Sequence, residues 1–199
     1  MTTVVAIQGN DFAVISADSR ISSMDEGGYT MQINNPSNSF SKITQTGPYL
    51  IGMAGDIRGI NLVAHAFTPP TPPSRVNLDK FITTKFVPEL KNCFEENGYH
   101  AGPSTTDKTS AHHSSTLLIA IRSQIYLIDE DYSWITQDTG LYAIGTGAEY
   151  ALGALTALIT AQGYENPKTA QQITKKTLQI VAQHDPHTGP PYKTNTQTR

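Results

Sequence analysis

Apolar residues fall in two kinds of run along this chain. Some are short β-branched blocks without alternation, and others are longer segments in which apolar residues recur every three or four positions. Val4-Val5-Ala6-Ile7 and Phe12-Ala13-Val14-Ile15 are of the first kind, and Gly9-Asn10-Asp11 between them supplies a turn. Residues 2–18 therefore predict a hairpin. Successive apolar positions in both strands imply that both faces are covered. A second hairpin is expected from Lys42-Ile43 to Met53, turning at Gly47-Pro48. Further strands are expected at 116–121 and 124–128, with short ones at 133–136 and 141–144.

Helical spacing appears between these blocks. Residues 56–67 predict a short helix ahead of the stiff connector Pro69-Pro70-Thr71-Pro72-Pro73. Asn77 can cap a helix over 78–96, whose apolar positions are Phe81, Ile82, Phe86, Leu90 and Phe94. Pro88 inside it should kink or interrupt it. Two more helices are expected at 148–162 and 169–184. Residues 22–41 read as a long irregular excursion, 101–115 as a mobile loop, and 192–199 as a shortened terminal strand or tail. Strands, helices, strands, helices, without strict βαβ alternation, favour an α+β fold with antiparallel sheets in one domain spanning 1–199.

Composition narrows the class. With 199 residues, 38% hydrophobic and 16% charged, the chain can bury a core of ordinary size. A formal net charge of -3 gives no electrostatic case for nucleic acid or an anionic membrane. No apolar run approaches the roughly 20 residues that span a bilayer. Cys93 is the only cysteine, which excludes an intrachain disulfide and favours a reducing, cytoplasmic setting. His100, His112 and His113 lie in a polar loop without ligand spacing, so solvated surface is expected rather than a metal site. Gly145-Thr146-Gly147 lacks the third glycine of a dinucleotide-binding turn. Neither metal nor cofactor is expected.

The chemistry sits at the N-terminus. If Met1 is removed, Thr2 carries a hydroxyl and an α-amine on one residue. The amine's reference pKa of roughly 7.7–8.0 suits a base near neutral pH. Such a nucleophile needs a nearby cation, a carboxylate to hold it, and backbone donors for the oxyanion. The first hairpin brings Asp18 back beside Thr2, Lys42 opens the next strand, and Gly52-Met53-Ala54-Gly55 offers exposed amides.

These residues resemble the proteasome β subunits and their bacterial relative, the HslV peptidase. Thr2-Thr3-Val4-Val5 is similar to the mature family N-terminus, and Ala17-Asp18-Ser19-Arg20 to its acidic motif at the same sixteen-residue step. Ser41-Lys42-Ile43 resembles the lysine segment, and Gly52-Met53-Ala54-Gly55-Asp56 the oxyanion turn, with Gly52 as donor. Ala143-Ile144-Gly145-Thr146-Gly147 resembles the Gly-Ser-Gly turn, and Asp185 with Thr188-Gly189 the Asp-x-x-Ser-Gly element. Thr146 and Thr188 stand where serines are usual. The resemblance implies a four-layer αββα N-terminal-nucleophile hydrolase, its two sheets between helical layers. It also implies a threonine endopeptidase without a cofactor, in which Thr2 attacks, Asp18 and Lys42 support it, and Thr146, Asp185 and Thr188 organise the amine. Family members form stacked homo-oligomeric rings, hexameric or heptameric, which take peptides or unfolded proteins and work with an α-type ring or ATPase unfoldase. Ile21, Leu50 and Ala54 would line the primary pocket and favour an apolar side chain, whereas Arg58 would favour an acidic one. Two other readings share the fold: a catalytically silent ring subunit acting as scaffold, and an amidase acting on a small amide.

Overall fold

The computed structural model describes residues 2–24, 30–34, 40–99 and 113–198. The first hairpin forms as the apolar runs require. β1 (Thr3–Gln8) and β2 (Phe12–Asp18) pair antiparallel, with Val4 opposite Ala17. β3 (Ile21–Met24) and β4 (Thr30–Ile33) then make a separate two-stranded ribbon. Part of the expected irregular excursion is therefore a hairpin. Its serine- and glutamine-bearing strands lack the apolar runs from which the other strands were read.

β5 (Ile43–Thr46) and β6 (Tyr49–Gly55) turn at Gly47-Pro48. β7 (Ser115–Ile121), β8 (Gln124–Ile128) and β9 (Trp134–Ile135) extend that sheet in the order β5-β6-β7-β8-β9. β10 (Leu141–Gly145) returns to the first sheet beside β1, and β11 (Tyr192–Thr198) flanks β2 on the other side, giving β10-β1-β2-β11. The terminal strand pairs over all seven residues, from Tyr192 opposite Asp18 to Thr198 opposite Phe12.

Side-chain alternation sorts the core into three sheets of contact. Val5, Ile7 and Val14 pack against α4 (Ala148–Gln162) and α5 (Pro167–Val181). Val4, Ala6 and Ile15 turn the other way and meet Leu50, Leu118 and Ala120 of the second sheet. Tyr49, Ile51 and Met53, on the far face of β6, meet α1 (Ile57–His65) and the helices that follow. The layers run helix, sheet, sheet, helix, as expected.

The helix expected over 78–96 is continuous but irregular. α2 (Leu78–Phe81) begins under Asn77, whose side chain accepts the Lys80 amide (2.8 Å). A π-helical turn (Ile82–Phe86) then leads into α3 (Val87–Glu96), with the Val87 amide reaching Ile82's carbonyl. Pro88 has no amide to donate and its ring crowds the preceding turn. The wider turn absorbs that misfit, so the helix neither breaks nor ends there. His113 is fully buried, its ring between those of Phe94 and Tyr132, which corrects the expectation of a solvated histidine. His100, His112 and most of the expected 101–115 loop lie outside the described residues.

Candidate active site

The end of β2 carries Asp18 into the interior, 1% exposed, and four donors converge on it. Oδ1 accepts the Thr3 amide (2.9 Å) and Lys42 Nζ (2.8 Å), while Oδ2 accepts the Arg20 amide (3.0 Å) and the Gly189 amide (3.2 Å). Lys42 is buried rather than solvent-facing, and its ammonium also donates to Arg20's carbonyl (2.6 Å). Burial pulls the Lys42 pKa below its ordinary value, with the Asp18 carboxylate opposing that shift. One carboxylate oxygen thus binds both the cation and the first amide after Thr2.

Thr2 is buried at the start of β1. Its carbonyl accepts the Thr146 amide (2.8 Å) and lies 3.4 Å from the Thr146 hydroxyl, a longer contact. Gly145 makes that approach possible: its φ of 91° is unfavourable for residues with a side chain, and a Cβ there would collide with Thr2's carbonyl. Asp185 follows α5 and gathers the remaining hydroxyls. Its Oδ2 accepts from Thr188 (2.6 Å) and Thr146 (3.0 Å), and its Oδ1 from the His187 amide (3.0 Å). Burial alone would raise its pKa. The bonds from Thr188, the His187 amide and Thr146 outweigh burial and hold the carboxyl below its ordinary range.

Six of the seven residues singled out from sequence thus come together: Thr2, Asp18, Lys42, Thr146, Asp185 and Thr188. Gly52 does not join them. It sits mid-strand in β6, between Ile43 of β5 and Leu118 of β7, and faces the other sheet. Gly55 occupies the place expected of Gly52. Met53's amide donates to Lys42's carbonyl (2.9 Å), and amides alternate in direction along a strand, so Gly55's points to the same side. There β5 has not yet begun, and Gly55 with its φ of 128° lines a cleft beside Thr2. Leu50 and Ala54 likewise belong to the core between the sheets, not to the cleft.

The cleft encloses about 330 Å³. Ile21, Phe40, Ile57 and Ile60 give it apolar walls, and Asp56 and Arg58 stand at it with opposite charges. A larger groove of about 740 Å³ at the other end of β1, around Asn10 and Tyr164, holds none of these groups. Sequence reasoning missed Thr3, whose hydroxyl lies 2.5 Å from Thr188's, and the Arg20 carbonyl. Backbone roles leave no residue signature, and a second threonine beside the first invites no separate explanation.

Two stacked sheets between helical layers, with a buried carboxylate–ammonium pair at one end of the first, make up the proteasome β-type fold. Solved structures share that fold. Thiobacillus denitrificans BPH, solved alone and in complex with Epoxomicin, matches 99% of this chain and 98% of its own with a TM-score of 0.74 and 20% identity. Eukaryotic HslV from Trypanosoma brucei matches over the whole of both chains with a TM-score of 0.64 and 19% identity. In sequence, the ATP-dependent protease subunit HslV of Rickettsia bellii is 30% identical over 77 residues, which is 39% of this chain and 41% of that relative. No family model matches the chain. The resemblance to proteasome β subunits and HslV holds for the fold along the whole chain. Among the described residues, no helix is long and apolar enough to cross a membrane.

Proposed function

We propose that the chain is a threonine-type endopeptidase in which Thr2 is the nucleophile once the Met1–Thr2 peptide bond has been cleaved. The observation that carries this reading is the double use of Asp18 Oδ1, which holds the Lys42 ammonium (2.8 Å) and the Thr3 amide (2.9 Å) together at the cleft. A positive charge held there favours loss of the Thr2 hydroxyl proton. Thr2 Oγ1 attacks the scissile carbonyl as its proton passes to the α-amine, and the resulting ammonium returns that proton to the leaving amine as the C–N bond breaks. Water then attacks the ester on Thr2, again giving a proton to the amine, which restores the hydroxyl as the ester bond breaks. Gly55's amide is the oxyanion donor in this reading, replacing Gly52. Thr146, Asp185 and Thr188 hold the nucleophile's backbone and supply negative charge near the amine.

The relative from Rickettsia bellii is described as a subunit of an ATP-dependent protease. On that analogy this chain assembles with copies of itself into a closed ring and receives unfolded chains or peptides from an ATPase or α-type partner. Exposed Met31 and Ile33 on β4 and Tyr150 on α4 are apolar surface that assembly would cover. An intact Asp18–Lys42 pair favours an active subunit over a silent scaffold. The test is hydrolysis of a set of fluorogenic peptides with different apolar, acidic and basic side chains before the cleaved bond. Turnover that vanishes in Thr2→Ala supports the reading; turnover unaffected by Thr2→Ala, or none with any substrate from a chain lacking Met1, overturns it.

A further inference from the structure

We infer that Thr3 is a positioning residue of this site, its hydroxyl opening a fixed hydrogen-bond chain from Thr3 to Thr188 to Asp185 that locks the Thr2–Thr3 peptide. The inference rests on the reading of Thr2 as nucleophile and adds a residue to it. Thr3 is fully buried, and its Oγ1 lies 2.5 Å from Thr188 Oγ1, a contact whose distance alone leaves the donor open. The next link decides it. Thr188's hydroxyl has one proton, and that proton is directed at Asp185 Oδ2 (2.6 Å). Asp185, held below its ordinary pKa by three donors, is a carboxylate at neutral pH and can only accept. Thr188 therefore receives from Thr3, and the two bonds run in one direction toward a charge, an arrangement in which each strengthens the other.

The same peptide is pinned at every other polar group. Thr3's amide donates to Asp18 Oδ1 (2.9 Å), and Thr2's carbonyl accepts the Thr146 amide (2.8 Å). Thr146's hydroxyl closes the circuit by donating to Asp185 Oδ2 (3.0 Å), the oxygen that also takes Thr188. Gly147 stands against Thr3 Oγ1 so closely that a Cβ there would overlap it, so a glycine at 147 leaves the hydroxyl the room it occupies. Asp18 and Asp185 are thus linked through one peptide unit, and Thr2's Cα, amine and hydroxyl hang directly from it. Thr3 touches neither substrate nor reacting atoms in this account. It fixes the geometry from which Thr2 attacks.

The experiment compares Thr3→Val, which keeps the shape and removes the hydroxyl, with Thr3→Ser, which keeps the hydroxyl. For a misplaced nucleophile, kcat for peptide hydrolysis should fall roughly 10- to 100-fold in Thr3→Val while KM stays close to that of the unsubstituted chain. Thr3→Ser should restore most of the loss. Thermal melting checks that each variant is folded; if Thr3→Val does not fold, Thr3→Ala, which presses no methyl against Gly147, is read in its place. Unchanged kcat in a variant without the hydroxyl overturns the inference, as does a Thr3→Ser no faster than Thr3→Val, or a loss confined to KM. An unsubstituted chain that turns over alongside an unaffected Thr3→Val sinks the positioning role alone. A Met1-free unsubstituted chain with no turnover sinks the nucleophile reading, and this inference with it.

Discussion

At the residue scale, the site is organised by two buried carboxylates with different partners. Asp18 faces a cation and three amides, so removing the cation leaves a charge in the interior without its counter-ion. Lys42→Met should therefore destabilise the fold by about 3–5 kcal/mol and abolish turnover, as read by urea unfolding and peptide hydrolysis; a variant of unchanged stability would contradict the coupling. Asp185 accepts from two hydroxyls and an amide, which act on its ionised form, with a smaller electrostatic contribution from His187. The folded chain consequently binds that proton more weakly than the unfolded chain, whose value is ~4. Between ~4 and the lower folded value the unfolded chain takes up the proton first, so this contribution to stability, complete above ~4, is lost as pH falls. Asp185→Asn should lower the melting temperature at neutral pH, and the difference from the unsubstituted chain should narrow as pH drops below ~4. A constant gap across that range would exclude the depressed value. Thr2, Asp18 and Lys42 were legible because an N-terminal nucleophile calls for those side chains, and Thr146, Asp185 and Thr188 because their segments resemble family motifs. Thr3, Gly55's amide and Arg20's carbonyl were not, because they act by position.

At the element scale, β6 separates the two glycines that sequence alone confuses. Alternation puts Gly52 on the face that meets the first sheet, where a Cβ would lie 2.8 Å from both Ile15 Cγ2 and Val4 Cγ1. Gly52 lets the sheets approach, and Gly55 ends the strand at the cleft. Gly52→Ala should cost about 1–3 kcal/mol through overpacking, and its folded fraction should retain turnover. Gly55→Ala, strained by its φ of 128° and crowded by Ser115, should lose turnover more than Gly52→Ala at matched folded fraction. The reverse ranking in kinetics and thermal melting would return the oxyanion role to Gly52. Long apolar runs made β1, β2, β6 and β7 readable, and spacing with a capping asparagine did the same for the helices. β3 and β4 were not readable, since neither carries a continuous apolar run and the alternating Met31 and Ile33 of β4 are exposed rather than buried in a core. The π-helical turn at Ile82–Phe86 was unreadable too, because Pro88 dictates a misfit but not how the helix absorbs it.

At the scale of the whole molecule, two sheets share one core and each is backed by its own helices, which leaves the site at one end of the first sheet rather than inside the sandwich. α4 is apolar around most of its circumference, yet only Ala151 and Leu155 are buried. An apolar helix with an open face is more often covered than solvated. Native mass spectrometry should therefore find an assembly several times the mass of one chain, and Tyr150→Glu on that face should weaken it. A monomer at micromolar concentration would contradict a compartment built from this chain and leave a freely accessible hydrolase. The layered fold followed from strand order and apolar runs, but no residue pattern states how many copies close a ring.

The central claim is that Thr2 presents a free amine and a nucleophilic hydroxyl on one residue. The intact mass of the purified protein, before and after incubation with a peptide epoxyketone, tests it directly, because that reagent closes a ring through both groups. The account predicts a chain lacking Met1 that gains one inhibitor per subunit, with no gain in Thr2→Ala. A chain without Met1 that gains nothing, or an adduct that persists in Thr2→Ala, would contradict it.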